Sequence, residues 1–406
     1  MILPNLEEFI YSQILKRNSS LFQNDLENNK EKLSIAIKAK SVLVIGGAGT
    51  IGSSFIKAIL KYSPKKLIVV DTNENGLTEL TRTLRSDSKI LMSEIYLTYP
   101  MSFASKTFYK LFDEHEGFDI IANFAAHKHV RSEKDHFSIE AMFENNVFTA
   151  KDLLDKLSLN PPEHFFCVST DKAANPVNVM GGSKKLMEQL IMSYSNDFKI
   201  TTARFANVAF SNGSLLDGYL SRLIQRQPLS CPSDVKRFFV SPEESGQICL
   251  LACILGKSGE IFYPKLNESH LVNFKDITIS FFKYLGLNID NCDSEIEAKD
   301  KALSIQKNSL TTSYPIYFFK TETSGEKLFE EFYENRDELD EVRLGQLGVI
   351  TNAHIPHKSD VSKSIKKLKN AFDSKEVEKS EIIGIMNSII PGFKHIETGK
   401  SLDKKM

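Results

Sequence analysis

Between Ser41 and about residue 205, short apolar runs alternate with longer stretches whose apolar residues recur at helical spacing. Val42–Ile45, Lys66–Val70, Asp119–Asn123 and Phe165–Ser169 have the length and composition of buried strands. Phe55–Leu60, Phe103–His115, Ile139–Leu157 and Ser183–Tyr194 read as the helices between them. Strands apolar on both faces need cover on both sides, so the pattern predicts an α/β fold with a doubly wound parallel sheet. Ahead of it, residues 1–40 are largely polar and helix-prone, and Leu6, Phe9, Ile10 and Ile14 at helical spacing predict a helical extension docked on the main body. After Thr202 the periodicity loosens around Pro228, Pro232, Pro242 and Pro264. A smaller C-terminal α/β lobe is expected over 206–350, interleaved with the 41–205 domain, and Thr201–Ala206 remains available to the first sheet. Residues 288–316 read as an irregular insertion, and 351–406 as packed helices carrying Val361, Ile365, Leu368 and Phe372.

Composition narrows the partners. The 406 residues carry 51 basic and 52 acidic side chains, a formal charge of −1, so no overall field favours nucleic acid or a membrane surface. Five cysteines, Cys167, Cys231, Cys249, Cys253 and Cys292, are odd in number and lack paired CxxC spacing. Buried thiols without a metal fit this better than ligands or disulfides, and imply a reducing, cytoplasmic setting. No run reaches the roughly 18 apolar residues of a spanning helix, and no basic segment followed by an apolar core opens the chain. A soluble protein with no membrane span is expected.

Strand Val42–Ile45 runs into G-G-A-G-T-I-G, which places Gly46, Gly49 and Gly52 three apart before a helix. Glycine permits the tight turn, lets backbone N–H groups of the loop, Thr50 and Ile51 approach a pyrophosphate, and lets the helix pack closely. Asp71 closes the next strand, where a carboxylate accepts from ribose hydroxyls and repels a 2′-phosphate. The pattern predicts a Rossmann-type site for NAD rather than NADP. Asn123, Ala125 and Ala126 belong to N-F-A-A-H-K-H-V, whose small residues would let the chain cross the cofactor while Lys128 reaches toward the cleft. His127 and His129 are assigned no catalytic role.

Ser169–Lys184 reads S-T-D-K-A-A-N-P-V-N-V-M-G-G-S-K and follows an apolar strand. A carboxylic acid beside an amine suits water elimination, since one group protonates the leaving hydroxyl and the other removes a carbon-bound proton. These residues resemble the extended short-chain dehydrogenase/reductase superfamily, in particular its UDP-N-acetylglucosamine 4,6-dehydratases. A-R-F-A-N-V at 203–208, R-F-F-V at 237–240, G-E-I-F at 259–262 and G-E-K-L-F-E-E at 325–331 extend the resemblance in order.

The resemblance implies an internal redox cycle on a nucleotide sugar, UDP-GlcNAc above all, with hydride leaving C4 and returning to C6. Asp171 is then the acid for the C6 hydroxyl and Lys172 the base at C5, which requires a lowered Lys172 pKa. Lys184 would bond the nicotinamide ribose, and Thr170 the C4 hydroxyl. Met180 stands where the superfamily has tyrosine, as in one dehydratase subgroup, so a relay through Thr170 or a water to Asp171 or Lys184 would take the C4 proton. Asn207 and Arg237 would meet the diphosphate, Glu326 the uridine ribose. The usual R-P-G-E-K is here Thr323-Ser324-Gly325-Glu326-Lys327. Ile139–Leu157 and Ser183–Tyr194 resemble the superfamily's dimer seam, so a homodimer or larger homo-oligomer is expected. An epimerase or 4-ketoreductase normally relies on the tyrosine that Met180 replaces. A non-catalytic NAD-binding relative would keep the cofactor without turnover.

Overall fold

The computed structural model describes residues 5–130, 133–307, 312–321, 327, 329–374 and 377–397. Among them the main sheet has nine strands, in the order Leu339–Asp340, Leu347–Ile350, Glu260–Pro264, Ile200–Ala203, His164–Val168, Ile120–Asn123, Ser41–Ile45, Lys66–Asp71 and Ile95–Pro100. The seven from Glu260–Pro264 to Ile95–Pro100 are mutually parallel, while Leu347–Ile350 pairs antiparallel with both Glu260–Pro264 and Leu339–Asp340. Chain order reverses between Ser41–Ile45 and Ile120–Asn123, where Ile45 pairs with Asn123. The carboxyl ends of these strands flank the crevice in which doubly wound sheets bind ligands. The expected Rossmann-type α/β architecture is present.

Helix Glu74–Ser86 and edge strand Ile95–Pro100 lie outside the predicted set. At the edge Ile95 and Leu97 stay exposed, so the run lacks the continuous burial of Val42–Ile45. Residues 288–316 are also not an irregular insertion. Asn288–Cys292 and Ser313–Phe319 are parallel strands beside Leu229–Pro232, with helix Glu295–Lys307 between the first two. That helix buries small Ala298 and Ala302, which leaves little hydrophobic periodicity to read.

Both ends of the chain act as ties. Phe9, Ile10 and Ile14 enter the core of the smaller lobe, where the Phe9 ring lies 5.2 Å from Phe281, so the stripe docks there and not on the main body. Farther along, Leu33 and Ile37 join the main core. Arg17 pairs with fully buried Glu244, and buried Asp25 accepts the Gly345 and Gln346 N–H groups at 2.5 and 2.8 Å. The N-terminal segment thus straps the two lobes together.

At the other end, helices Lys358–Phe372 and Lys379–Ile389 lie on the helical face expected to pair with a second copy. Phe372 packs 6.0 Å from Phe143, and Met386 and Phe393 close over Gly182. Every residue of helix Val179–Met192 except Gln189 is buried within this one chain. Within the chain this helix therefore packs against the C-terminal helices. The tail then runs along the reacting loop, with Lys394 and Ile396 donating to the Pro176 and Val177 carbonyls at 3.0 Å each. His395 and Lys379 pair with Glu133, whose other oxygen caps the Val179 N–H at 2.7 Å. No helix among the described residues is long and apolar enough to cross a membrane.

Candidate active site

The glycine-rich loop is built as a cradle. Gly46 has φ +78°, and a Cβ there would stand 2.5 Å from the Ala125 nitrogen. At Gly52 a Cβ would stand 2.3 Å from the Gly46 carbonyl. Gly49 is the N-cap of helix Thr50–Leu60 and supplies no side chain, so the first-turn N–H groups and the positive helix end open toward the loop. Ile51 packs beside the main core. Asp71 stands at the end of the neighbouring strand, its two oxygens accepting from Ala48 and Asn73 N–H at 2.9 Å each.

Opposite the cradle, buried Asn123 accepts the Ala125 N–H at 3.0 Å. Asn146 holds His127 through its N–H (2.8 Å) and carbonyl (3.0 Å), which fixes the path of Ala125 and Ala126 past Gly46. These features fit a dinucleotide. Gly52→Ala is expected to cost about 1–3 kcal/mol of stability and to weaken NAD+ binding, read by denaturant melts and titration calorimetry. Unchanged binding would show that the helix need not approach the loop so closely.

Lys128 does not face open cleft alone. Its ammonium donates to the Asn212 carbonyl at 2.8 Å, and the Asn212 N–H donates to Thr50 Oγ1 at 2.9 Å. The pair of bonds joins the second lobe to the start of the cofactor helix. Asn207 opens a two-residue strand paired with Phe239–Val240.

The fully buried strand His164–Val168 delivers the candidate acid–base pair. Thr170 caps the short turn Asp171–Ala173, and the Asp171 N–H bonds the Phe205 carbonyl at 3.2 Å. One oxygen of buried Asp171, Oδ1, accepts both the Thr170 hydroxyl (2.9 Å) and the Lys172 ammonium (3.0 Å). Lys172 Nζ also lies 3.7 Å from Glu330 Oε1. Around Glu330 stand Arg237 Nη2 at 4.0 Å and Lys327 Nζ at 3.8 Å. Arg237 is buried and bonds the Lys327 carbonyl at 3.0 Å, so it turns into the reacting cluster. Glu326 lies outside the described residues.

Electrostatics corrects one expectation. Burial alone would lower the Lys172 pKa, but Asp171 and Glu330 outweigh it and hold the ammonium above the ordinary lysine value, with Arg237 opposing them. Lys184 behaves in the opposite way. Its Nζ is buried against the Val168 carbonyl (2.7 Å) and Met187 Sδ (3.1 Å), and burial lowers its pKa. Met180, one turn earlier on that helix, is buried in the main core. Glu330 was missed in the sequence although G-E-K-L-F-E-E contains it. The signal was an acid in an aromatic, apolar stretch, where a carboxylate needs a partner.

Residues 42–352 match the family described as polysaccharide biosynthesis protein. The chain belongs to that family. Its fold and motifs place it among the extended short-chain dehydrogenases/reductases, in a wider group that includes nucleotide-sugar dehydratases and epimerases. It is 30% identical to an uncharacterized membrane protein of Methanocaldococcus jannaschii, over 88% of this chain and 98% of that one. It is 24% identical to the capsular polysaccharide biosynthesis protein CapD of Staphylococcus aureus, over 82% of this chain but only 55% of that protein. To the inverting UDP-N-acetylglucosamine 4,6-dehydratase of Campylobacter jejuni it is 25% identical, over 58% of this chain and 69% of that enzyme. Among solved structures, Pen from Bacillus thuringiensis superposes with TM-score 0.61 at 20% identity, over 82% of this chain and 98% of that one, which supports the fold alone. The matched segment holds the cradle, the Asp171–Lys172 pair and Glu330. The strap before Ser41 and the C-terminal helices lie outside it.

Proposed function

We propose that the chain is an NAD-dependent nucleotide-sugar 4,6-dehydratase, acting on UDP-GlcNAc to make a UDP-4-keto-6-deoxy-HexNAc for surface glycans. The observation that carries this reading is the Asp171 carboxylate oxygen shared by Thr170 and Lys172 at the end of a central strand. When bound, NAD supplies the acceptor of hydride from sugar C4 and its donor to C6. The cradle N–H groups hold the pyrophosphate, Asp71 accepts from the adenosine ribose and disfavours a 2′-phosphate, and Lys184 orients the nicotinamide ribose.

Methionine cannot take the C4 hydroxyl proton, and the Thr170–Asp171 bond offers the alternative path. The proton passes through Thr170 Oγ1 to Asp171 Oδ1. Asp171, now an acid, gives it to the C6 hydroxyl oxygen, and the C6–O bond breaks to release water. The Lys172 amine takes the C5 proton and later gives C5 a proton exchanged with solvent, so both groups end as they began. The same Met180 disfavours an epimerase or ketoreductase, whose tyrosine serves as the C4 base.

Proton NMR of the protein with NAD+ and UDP-GlcNAc in D2O tests the reading. A new C6 methyl signal with deuterium at C5 is expected. Absence of the methyl signal with UDP-GlcNAc, UDP-glucose and dTDP-glucose would overturn it.

A further inference from the structure

Glu330 is a carboxylate that the elimination chemistry does not use, although it sits inside the reacting cluster. It is buried, and its Oε2 has no hydrogen-bond partner among the described residues. Its other oxygen lies 3.7 Å from Lys172 Nζ, opposite the 3.0 Å contact of that ammonium with Asp171. Lys172 thus lies between two carboxylates. One of them is already committed: Asp171 must start unprotonated to receive the C4 hydroxyl proton through Thr170. It therefore cannot also relieve Lys172 of its proton. Among the described residues Glu330 is the other carboxylate in reach of Lys172.

We infer that Glu330 is the proton-holding residue of the site, taking the proton that Lys172 must lose before its amine can act at C5. This rests on the dehydratase reading of the same cluster. In the transfer a Lys172 N–H bond breaks and a Glu330 O–H bond forms. Ammonium and carboxylate become amine and carboxylic acid, with no change of oxidation state. The 3.7 Å gap closes by a side-chain shift or one bridging water.

The surroundings suit a group that changes charge. Burial raises the Glu330 pKa, Lys172, Arg237 and Lys327 pull it down, and Asp171 pushes it up; the balance lies above the ordinary glutamate value. Glu330 acts through Lys172 and is a positioning residue in that sense. Arg237 and Lys327 limit the cost while Glu330 is ionised, and Lys172 becomes neutral in the step that neutralises Glu330.

Glu330→Gln keeps the shape and removes the acceptor. It is expected to lower turnover with UDP-GlcNAc at neutral pH on the order of 100-fold. Activity should then climb with pH, as solvent takes over removal of the Lys172 proton. Glu330→Asp, an acceptor one methylene shorter, is expected to recover part of the rate. A purely electrostatic role predicts the reverse: without its negative charge Lys172 loses its proton more easily, and Glu330→Gln would be as fast as the parent or faster at neutral pH. That result would overturn the proposal, as would equal loss in both variants with an unchanged pH profile.

A second readout needs no turnover. Difference infrared spectra on adding UDP-GlcNAc to the full chain should show a protonated carboxylic acid band over and above that of Asp171, which Lys172→Arg weakens and Glu330→Gln abolishes. A band unchanged in Glu330→Gln, or no band in the parent, would overturn the assignment. If the parent protein forms no 4-keto product, the dehydratase reading falls, while the infrared band still decides whether Lys172 and Glu330 share a proton.

Discussion

Lys172→Ala is expected to reduce formation of the 4-keto-6-deoxy product by roughly 10²–10⁴-fold, the usual worth of a positioned acid or base. Binding of NAD+ and UDP should change far less, because the Lys172 ammonium engages Asp171 and Glu330. The two members of the pair should fail at different points. Without Lys172 the C4 proton still has its path through Thr170 to Asp171, so sugar oxidation proceeds and reduced nicotinamide accumulates. Asp171→Asn removes the shared oxygen acceptor and should stop the reaction earlier, with no such accumulation. Stopped-flow absorbance of the two variants, mixed with UDP-GlcNAc, separates these outcomes. Early arrest in both would assign Lys172 to C4 chemistry or to structure. A loss of less than tenfold in Lys172→Ala would remove it from the reaction.

The strands that carry this site were legible because burial on both faces leaves an unbroken apolar run. Leu43, Val44, Phe166 and their neighbours have no exposed face to blur the pattern. The cradle was legible for a related reason: Gly46 and Gly52 tolerate no Cβ, so the local contacts demand the residue type that the spacing displays. What the sequence hid depends on contacts between distant segments. The stripe at Phe9 is the same whichever lobe it docks on, and only its meeting with Phe210 and Phe281 decides. Helix Val179–Met192 shows an apolar surface that a second copy or the chain's own Met386 and Phe393 serve equally well. The charge of Lys172 was misjudged for lack of Glu330, 158 positions along the chain by subtraction of the two residue numbers. Burial was foreseeable, but a partner carboxylate brought in from the second lobe was not. Its effect has the opposite sign and, added to that of Asp171, outweighs burial.

Arg204 shows how far the same logic extends behind the site. It lies in the A-R-F-A-N-V stretch, where the sequence reading gave it no role. Its guanidinium is fully buried and grips Glu188 by two bonds, Nε to Oε1 at 2.9 Å and Nη2 to Oε2 at 2.8 Å, while Nη1 donates to the Phe332 carbonyl at 2.8 Å. Glu188 in turn accepts the Ser169 hydroxyl at 2.6 Å, one residue before Thr170. Arg204→Ala leaves a buried carboxylate unpaired and is expected to cost about 3–5 kcal/mol. Replacing both partners, as Arg204→Met with Glu188→Leu, should recover much of that stability, because no charge is then left stranded.

Acidity provides an independent check. Burial alone would raise the Glu188 pKa, but Arg204 foremost, with Lys185 and the Ser169 hydroxyl, outweighs it and holds the carboxyl below the ordinary glutamate value. The stabilisation is therefore present above the unfolded glutamate pKa of about 4.3, and is lost as pH falls through the lower folded value. In Arg204→Ala the same carboxyl loses its partner and its pKa rises. The stability gap between parent and variant should then narrow as pH drops from neutral toward 4 in urea denaturation. A gap independent of pH would mean that Arg204 stabilises the chain by packing against Phe332, not by charge. Turnover in the double variant then reads the other half of the linkage. With Ser169 no longer tied to Glu188, the strand end that sets Thr170 and Asp171 loosens, and kcat should fall while KM for the nucleotide sugar holds.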